Sequence, residues 1–449
     1  MNETPTVALI SLGCPKNLVN SEEMLALLQE AGYAFTSDPA KADVAVINTC
    51  AFIESAKAEA IDRILETAAL REENPELKII VAGCLAQRYQ KEIRQELPEV
   101  DGILGTGSYG EIVDMVRAVL SGEAPTVCRS ISAPLEELPR AVSTGPCWAY
   151  LRIAEGCDNR CAYCVIPSLR GRYRSRTRES VMEEAKLLAA SGVKELIIVA
   201  QDITRYGTDL YGKHCLAELL AELCKLDFRW IRLHYLYPEE IDDELIDVIA
   251  REEKIVKYLD IPIQHINDAI LRRMNRRGTG GEIRALFRKL RERIPGLVLR
   301  TSLITGLPGE GEAEFEELCE FLREAKIERA GVFPYSPEEG TPAAAMPDRC
   351  STEEAERRAQ LCMDIQAEVM DGFAETFIGR ELEVLCMGAE EDGTPWGRSR
   401  YDSPDIDSRV VFSGSAQPGD LVNVYITAVE EGELIGEQIG DSPVQEETT

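Results

Sequence analysis

The stretch EGCDNRCAYCVIPS, residues 155–168, contains three cysteines within eight positions. They are Cys157, Cys161 and Cys164, and no fourth cysteine or histidine lies close to them in the sequence. Structural zinc sites usually close with four protein ligands. Three thiolates that hold a [4Fe–4S] cluster leave one iron without a protein ligand, where a substrate or cofactor can bind and accept an electron. The spacing therefore indicates a cluster with an open iron.

The sequence around this stretch, from residue 143 to residue 376, alternates apolar strand patterns with helix patterns. VKELIIVAQD (193–202) and WIRLHYLYP (230–238) are typical of buried strands, and RESVMEEAKLLAASG (178–192) is typical of a helix. Repeated units of this kind predict a full or partial (β/α) barrel. In such barrels the functional residues lie in the loops at the C-terminal ends of the strands.

Residues 1–121 show the same alternation and predict a doubly wound parallel sheet. Cys14, Cys50 and Cys84 each stand at the last position of a predicted strand, in TVALISLGC, DVAVINTC and KIIVAGC. Because the C-terminal ends of parallel strands lie along one edge, we expect these three thiols to converge. The alternative is three separate core cysteines, which explains the shared position poorly. The helix pattern SEEMLALLQEAG predicts a helix that Ser21 caps.

Two further segments complete the predicted α/β chain. Residues 122–142 are rich in proline, serine and small residues, and this composition predicts a linker. Residues 377–445 contain five short β-like runs separated by glycine, proline and aspartate, which predict a small barrel of the OB type.

The composition limits the classes of function. The net charge is −30, from 49 Lys and Arg against 79 Asp and Glu, which disfavours a general nucleic-acid binder and favours a basic partner. No apolar run approaches the length of a membrane span, so that we expect no membrane association. We expect a cytoplasmic protein, in which 14 cysteines are more typical of metal or redox chemistry than of a disulfide framework. The eight cysteines outside the two triplets are expected to be ordinary small apolar residues.

The three-cysteine loop, placed after the first strand of a predicted barrel, resembles that of radical S-adenosylmethionine enzymes. SLGCPKN (11–17), VINTCAFI (46–53) and VAGCLAQR (81–88), together with the small C-terminal β-domain, narrow the resemblance to the methylthiotransferases. The resemblance implies that the loop cysteines hold a [4Fe–4S] cluster on whose open iron S-adenosylmethionine binds. It also implies a second [4Fe–4S] cluster on the three first-domain cysteines, and a C-terminal barrel of the TRAM type.

Beyond the cluster ligands we assign no catalytic residue, but seven residues are candidate contacts of S-adenosylmethionine. The tyrosine is the aromatic residue usual in this loop in the family, and the glutamines and the aspartate follow or end predicted strands, where cofactor contacts gather. The glycines and the proline form a turn that would let the backbone approach the cofactor closely. A structural role at the barrel mouth is the alternative for the glutamines and the aspartate. The candidates are Tyr163, Gln201, Asp202, Gln264, Gly306, Pro308 and Gly309.

Arginine occupies every second position in RGRYRSRTR, residues 170–178. These side chains would share one face if the segment were extended. They could orient an acidic group or be solvated, and the sequence leaves both readings open.

One branch of the methylthiotransferases modifies adenosines in tRNA, and another modifies an aspartate of ribosomal protein uS12. ISLGCPKNLVNSE (10–22), IPSLRGRYRSR (166–176) and AQDITRYG (200–207) resemble the uS12 branch, with Asn20 as one departure where Asp is more usual. The resemblance implies the addition of a methylthio group to the β-carbon of an aspartate. One S-adenosylmethionine would serve as methyl donor and one as radical source. A reducing electron donor is also implied, and we expect a monomer.

The charge of the last domain favours the protein substrate. Residues 380–449 contain 16 Asp and Glu against 4 Arg and no Lys, a net charge of −12. A barrel that binds RNA needs a positive groove, whereas an acidic surface attracts a basic ribosomal protein. Acids that only keep the protein in solution are the alternative explanation. A tRNA methylthiotransferase and a metal-binding scaffold without catalysis are the competing hypotheses.

Overall fold

The computed structural model, which describes residues 4–145 and 147–440, begins with a six-stranded parallel sheet. Its strands are β1 (Thr6–Ser11), β2 (Ala34–Phe35), β3 (Val44–Thr49), β4 (Lys78–Gly83), β5 (Gly102–Leu104) and β6 (Thr126–Val127). The accompanying helices are α1 (Pro15–Glu30), α2 (Glu54–Ala69), α3 (Cys84–Arg88), α4 (Gln90–Glu96) and α5 (Ile112–Leu120). The order across the sheet is β2-β1-β3-β4-β5-β6, so that β3 lies between β1 and β4.

Strand β3 shows why this sheet is covered on both faces. All its side chains are buried. Val44 and Val46 pack with Met24 of α1 in the core of one face. Ala45 and Ile47 belong to the core of the other face, which contains residues of α2. Strands that are buried on both faces need helices on both sides, and the predicted doubly wound sheet is confirmed.

Helix α1 begins earlier than the sequence pattern predicts. It begins at Pro15, directly after Cys14, and Ser21 lies inside the helix. The Ser21 hydroxyl donates a hydrogen bond to Oγ of Ser11 at 2.9 Å. Proline suits the first helical position because its φ is already helical and its missing N–H would have no partner there. The predicted Ser21 cap is therefore wrong, and the start of the helix lies against the first cysteine.

The second sheet is also parallel and has six strands. The strands of this part of the chain are β7 (Trp148–Arg152), β8 (Ala154–Glu155), β9 (Arg174–Ser175), β10 (Glu195–Val199), β11 (Trp230–Leu233), β12 (Ile255–Asp260), β13 (Val298–Thr305) and β14 (Arg329–Pro334). The helices are α6 (Ile166–Arg170), α7 (Arg178–Ala190), α8 (Leu216–Leu223), α9 (Asp243–Arg251), α10 (Asp268–Arg273), α11 (Gly280–Arg293), α12 (Glu312–Ala325) and α13 (Thr352–Glu375). The sheet order is β7-β10-β11-β12-β13-β14, and β8 and β9 form a separate antiparallel pair. Because β7 and β14 are the two edges of the sheet, the predicted partial barrel is confirmed.

The two faces of this second sheet have different partners. Leu299 and Leu303 of β13 belong to the large core that the sheet forms with its flanking helices. Trp230 and Tyr258 lie on the other face, where they pack in one cluster with Leu385 of the last domain. The inner face of the partial barrel is thus filled in part by another domain.

The last domain is a closed five-stranded barrel, as predicted. Its strands are β15 (Glu381–Ala389), β16 (Pro395–Ser399), β17 (Val410–Ser413), β18 (Leu421–Glu430) and β19 (Glu433–Ile439), in the order β15-β16-β17-β19-β18. Buried ion pairs join Arg398 to Glu195 at 2.6 Å and Arg329 to Asp402 at 2.7 Å. Glu195 and Arg329 are the first residues of β10 and β14. The last domain therefore covers the N-terminal edge of the second sheet.

The segment predicted as a linker, 122–142, packs against the first two domains. Its residues Thr126–Val127 form β6, so that the segment begins as part of the first sheet. Arg140, near its end, is paired with Glu22 of α1 at 2.6 Å and with Glu184 of α7 at 2.7 Å. The domain boundaries stay predictions, and 441–445 of the last predicted domain lie outside the described residues. Within the described ranges no helix is long and apolar enough to cross a membrane.

Candidate metal centres

The three first-domain cysteines lie at the C-terminal edge of the first sheet, after the adjacent strands β1, β3 and β4. Cys50 and Cys84 directly follow β3 and β4, whereas Cys14 follows β1 after two residues. The strands thus end before the cysteines rather than at them, and Cys84 is the first residue of α3. The structure brings all three to one edge.

Two glycines make the close approach of these loops possible. Gly13 has φ +88°, and a Cβ there would lie 2.6 Å from Cβ of Cys50. Gly83 has φ +90°, and a Cβ there would lie 2.7 Å from the carbonyl oxygen of Thr49. Any other residue would have to adopt a left-handed backbone and displace a neighbour. The glycines therefore allow the cysteine loops to pack directly on each other.

Asn17, which is fully buried, connects the three loops. Its Nδ2 donates hydrogen bonds to the carbonyl oxygens of Leu12 at 3.0 Å and Thr49 at 2.9 Å. Its Oδ1 accepts from the Cys84 thiol at 3.9 Å and from Arg170. One side chain thus binds the segments beside Cys14 and Cys50 and the third thiol itself.

The thiols of this first-domain site differ in acidity. Burial raises the pKa of Cys50 to about 12, and the nearby Cys14 and Cys84 add to the rise. Burial acts in the same direction at Cys14, but the positive charges of Lys16 and Arg170 outweigh it and lower the pKa below its ordinary value. Metal ligation requires the thiolate, so that these two cations favour the ligating form at the first cysteine.

The second site is the loop between β8 and α6. The Cys157 amide donates to the carbonyl of Gly171 at 3.1 Å, and the Cys164 amide donates to the carbonyl of Cys161 at 3.0 Å. These bonds fold the loop back on itself, so that three cysteines close in sequence also lie close in space. Burial raises the pKa of Cys157 to about 11 and that of Cys164 to about 12, with a contribution from the neighbouring Cys161.

The donor sets of both sites fit a four-iron cluster. Among residues 4–145 and 147–440, no three His, Cys, Asp or Glu side chains are close enough together to hold a single metal ion. A [4Fe–4S] cluster has a different requirement, because each of its thiolates ligates a separate iron. Three thiols gathered at one sheet edge, and three in one folded loop, meet that requirement and leave one iron of each cluster open.

Gln201 and Asp202, which follow β10, contact residues of the cysteine loop or beside it. Gln201 Nε2 donates to Glu155, the last residue of β8, at 2.6 Å, while its Oε1 is buried without a partner. Asp202 accepts from Nδ2 of Asn159, inside the loop, at 3.1 Å. The structure therefore brings both predicted residues to the loop.

Tyr163 belongs to the cysteine loop, and the turn that follows β13 lies beside it. Tyr163 packs in a small apolar cluster with Leu307 and Ala162. Leu307 belongs to the turn that contains Gly306, Pro308 and Gly309. In this turn both glycines have positive φ, and a Cβ at the first would lie 2.4 Å from that of an alanine in α13. Packing on α13 alone explains this first glycine, and its contact with a cofactor stays a prediction.

Gln264 has φ +73°. Its amide donates to the carbonyl of Ser302 at 2.9 Å, and its carbonyl accepts from Ile304 at 2.8 Å, so that it lies alongside β13. Tyr235, which lies just beyond β11, also has a positive φ, +65°. Strained backbone of this kind is frequent at functional sites. Cofactor contact stays a prediction for all seven candidate residues.

The structure adds two residues at the loop that the sequence analysis did not single out. Nη1 of Arg276 donates to Sγ of Cys161 at 3.9 Å, and its guanidinium lies 4.2 Å from the centroid of the Tyr237 ring. The Tyr237 hydroxyl lies 3.8 Å from the same sulfur. Both residues are remote from the loop in sequence, and no local pattern points to them.

Arg170 connects the two cysteine sites. It ends α6, just after the cysteine loop, and its guanidinium donates to Asn20 at 2.7 Å, to Glu155 at 3.3 Å and to Asn17. Its side chain is 3% exposed, whereas that of Arg172 is 82% exposed. The alternating arginines therefore do not share one face, because the first of them belongs to a helix rather than to an extended segment.

The C-terminal edges of the two sheets face each other. Glu338, which follows β14, pairs with Arg88 of α3 at 2.6 Å and with Lys57 of α2 at 3.1 Å. Lys16 of α1 places its ammonium group 3.8 Å from the centroid of the Tyr235 ring. Together with Arg170, these contacts join the edge that carries one thiol triplet to the edge that carries the other.

Comparison with family models divides the chain into three matched regions. Residues 6–105 match the uncharacterized protein family UPF0004, residues 151–322 match the radical SAM superfamily, and residues 378–439 match the TRAM domain.

Solved structures share the fold at low sequence identity. The radical S-adenosylmethionine methyltransferase TsrM from Kitasatospora setae, with cobalamin and a [4Fe–4S] cluster bound, is 15% identical with a TM-score of 0.54 and covers 76% of this chain and 77% of its own. The cobalamin-dependent enzyme OxsB is 12% identical with a TM-score of 0.50, and covers 81% of this chain and 56% of its own. These likenesses concern the fold alone.

Curated relatives align over nearly their whole length. The ribosomal protein uS12 methylthiotransferase RimO of Lachnoclostridium phytofermentans is 48% identical over 435 residues, which are 96% of this chain and 99% of the relative. The protein of the same name from Acetivibrio thermocellus is 47% identical over 449 residues, covering 97% and 99%. The chain therefore belongs to the ribosomal protein uS12 methylthiotransferases, a family of radical S-adenosylmethionine enzymes.

Proposed function

We propose that this chain adds a methylthio group to the β-carbon of an aspartate of ribosomal protein uS12. The observation that carries the proposal is the juxtaposition of two thiol triplets on facing sheet edges, in a chain whose relatives named uS12 methylthiotransferase align along nearly its full length. Transfer of sulfur to an unactivated carbon needs both a radical source and a sulfur-bearing site. One triplet would account for a radical enzyme, and two account for sulfur transfer.

The geometry of the two sites supports an assignment of the cluster ligands. In this proposal Cys157, Cys161 and Cys164 hold one [4Fe–4S] cluster, and the three first-domain cysteines, Cys14, Cys50 and Cys84, hold another. When bound, these groups with S-adenosylmethionine would supply a carbon-centred radical, a methyl group and a coordination position for sulfur.

The chain's own residues hold the two sites in a fixed relation. Glu155, directly before the cysteine loop, accepts from Arg152 at 3.1 Å and from Arg170 at 3.3 Å. Arg152 also pairs with Glu23 of α1 at 2.6 Å. Burial raises the pKa of Glu155, but the two guanidiniums outweigh this and hold it below its ordinary value. This buried network links α1 of the first domain to the strand that precedes the cysteine loop.

The surface of the last domain supports a basic protein substrate. In 380–440, one arginine is exposed against eight exposed acids, since the other three arginines are buried or half-buried. The exposed acids are Glu381, Glu391, Asp392, Asp405, Asp420, Glu430, Glu431 and Glu437. Such a surface repels phosphate groups and attracts a basic protein, which favours uS12 over tRNA. We further propose that the chain acts in the cytoplasm as a monomer, with electrons from a reducing donor.

The most direct test is mass spectrometry of uS12 and of bulk tRNA from cells with and without this protein. We expect a thiomethylated aspartate in uS12 that disappears when the protein is absent, with unchanged tRNA. Loss of a methylthio-adenosine from tRNA, with uS12 unchanged, would replace the proposal by the tRNA branch. A chain that binds metal but changes neither substrate would be the non-catalytic scaffold.

The role of the acidic barrel has its own test. The substitutions Glu390→Lys, Glu391→Lys and Asp392→Lys, made together, should weaken uS12 binding as raised salt does, because exposed charges are screened beyond about 8 Å at physiological ionic strength. Glu72, Glu73 and Glu76, of which none belongs to the last domain, provide a control with the same change of net charge when replaced by lysine. Equal weakening by both variants, or binding independent of salt, would show that the last domain does not recruit uS12 by charge.

A further inference from the structure

Lys16 is a buried lysine without a carboxylate partner. The residue is 8% exposed and follows Cys14 by two positions, at the start of α1. Its side chain reaches across to the second domain, where the ammonium lies 3.8 Å from the centroid of the Tyr235 ring. Within the described residues, Nζ of Lys16 makes this cation–π contact but no hydrogen bond and no ion pair.

Three buried carboxylates of the two domains are already bound by other groups. Both oxygens of Glu155 are occupied, one by Gln201 and the amide of Gly156, and the other by two arginines. Glu23 is bound by Arg152 and by an asparagine, and Asp260 is paired with an arginine at 2.8 Å. A buried cation is costly unless a negative group faces it. Cys14 and Glu155 attract the ammonium through space, but none of these carboxylates forms an ion pair with it.

The position of Lys16 lies between the two candidate metal centres. It belongs to the first-domain edge through Cys14, and it touches the second-domain edge at Tyr235, two residues after the end of β11. The backbone of Tyr235 is held at φ +65°, an arrangement that costs energy for a bulky residue and needs support from its surroundings. The neighbouring His234 is fully buried, and burial together with nearby arginines lowers its pKa well below the ordinary value, so that it adds no positive charge.

We propose that Lys16 binds the side-chain carboxylate of the substrate aspartate. This inference rests on the proposed function, in which the β-carbon next to that carboxylate receives the methylthio group. An ammonium that lies between the two sites without an ion-pair partner would fix the carboxylate, and with it the adjacent β-carbon, between the facing sheet edges. It would also distinguish aspartate from asparagine, because an amide cannot neutralise the lysine. Lys16 is thus assigned to substrate positioning.

The test is a binding measurement on the full chain with two peptides. One spans the target aspartate of uS12, and the other carries asparagine in its place. Fluorescence anisotropy gives the dissociation constant of each peptide for wild type, Lys16→Met, Lys16→Arg and Lys41→Met. Lys41 is a suitable control because its side chain is 77% exposed and is paired with Asp38 on the surface.

We expect the wild type and Lys41→Met to bind the aspartate peptide about 10- to 100-fold more tightly than the asparagine peptide. Lys16→Met should lose this preference through weaker binding of the aspartate peptide, and Lys16→Arg should keep most of it. Iron content, measured on the same samples, reports whether the neighbouring thiol site is intact.

Two results would overturn the assignment. One is an unchanged preference for aspartate in Lys16→Met, and the other is a wild type without any preference. Failure of the proposed function itself would be seen elsewhere, as uS12 that is unmodified in cells that contain the wild-type protein. Modified uS12 together with an unchanged preference in Lys16→Met would remove the lysine assignment alone.

Discussion

The two thiol triplets of this chain are built in opposite ways. One occupies a single loop, in which Cys157, Cys161 and Cys164 are held by hydrogen bonds within and next to the loop. The other is assembled from the ends of three parallel strands and depends on the buried side chain of Asn17. A local site can keep its ligands close in space even when distant packing changes. A site made by a sheet edge exists only when the whole domain is folded.

The two sites also differ in charge. Lys16 and Arg170, the second of which belongs to the other domain, lower the pKa of Cys14. At the loop, Arg276 faces Cys161, but burial keeps the pKa values of Cys157 and Cys164 raised. The first-domain site therefore depends on the second domain for part of its positive charge, which couples the two sites.

The sharpest separation of the two sites is expected in cofactor cleavage. Replacement of Cys157, Cys161 and Cys164 by alanine should abolish formation of 5′-deoxyadenosine from S-adenosylmethionine, because the chain then lacks the ligands of the radical-generating cluster. Replacement of the three first-domain cysteines should preserve that cleavage but abolish thiomethylated uS12. Chromatography of the nucleoside product and mass spectrometry of uS12 give both readouts. A first-domain variant that forms no 5′-deoxyadenosine would contradict this division.

Alkylation of the metal-free chain should rank the thiols in the order of their acidity. At pH 8 we expect iodoacetamide to modify Cys14 at least about tenfold faster than Cys50, because the reactive thiolate fraction falls tenfold for each pH unit by which the pKa exceeds the solution pH. Peptide mass spectrometry over a time course measures the rates. The alkylation rate of Cys50 should keep rising as the pH is raised. The rate of Cys14 should reach its plateau at a lower pH than that of Cys50.

Cys224 provides a control for this ranking, because it is half-buried, lies outside both sites and has a pKa raised to about 11 by burial. It should react slowly, as Cys157 should. Modification of Cys157 or Cys164 ahead of Cys14 would show that the two cations do not act as described.

Iron content should divide equally between the sites. The anaerobically reconstituted protein should hold about eight iron and eight sulfide, and each triple cysteine variant should hold about half of that. Colorimetric iron and sulfide assays on the wild type and both variants measure this. Loss of all iron from one triple variant, or a wild-type content near four, would be incompatible with two independent clusters.

The smallest expected effect concerns the buried amide that assembles the first-domain site. Asn17→Ala leaves two carbonyls and part of the Arg170 guanidinium without a partner, at a cost of about 1–3 kcal/mol, and should lower Tm by about 2–8 °C. Calorimetry on the metal-free protein measures the shift. Asn159→Ala in the cysteine loop is the matched control, since its side chain makes a half-buried hydrogen bond to Asp202, and it should lower Tm less. Equal Tm shifts would show that the Asn17 side chain stabilises the first-domain site no more than a half-buried hydrogen bond does.

Some of the architecture follows from sequence alone, because it depends on local patterns. The apolar runs of β3 and β4 predict strands buried on two faces, and the order of strands and helices then dictates parallel sheets. The spacing of Cys157, Cys161 and Cys164 similarly identifies a metal loop, because ligands that are close in sequence need little from the fold to lie close in space. Shared strand-end positions were enough to predict that Cys14, Cys50 and Cys84 converge.

Tertiary structure alone decided which residues surround these thiols. Asn17, Arg276 and Tyr237 carry no pattern that sets them apart, and each acts through a contact between segments that are distant in sequence. The same holds for the start of α1, where proline after Cys14 outweighs the capping potential of Ser21, and for Arg170, whose helical position buries it. Lys16 is the clearest case. A lysine in SLGCPKN is an ordinary polar residue until the facing domain buries it beside Tyr235, because its burial and its lack of an ion pair among the described residues are properties of the folded interface and not of the sequence.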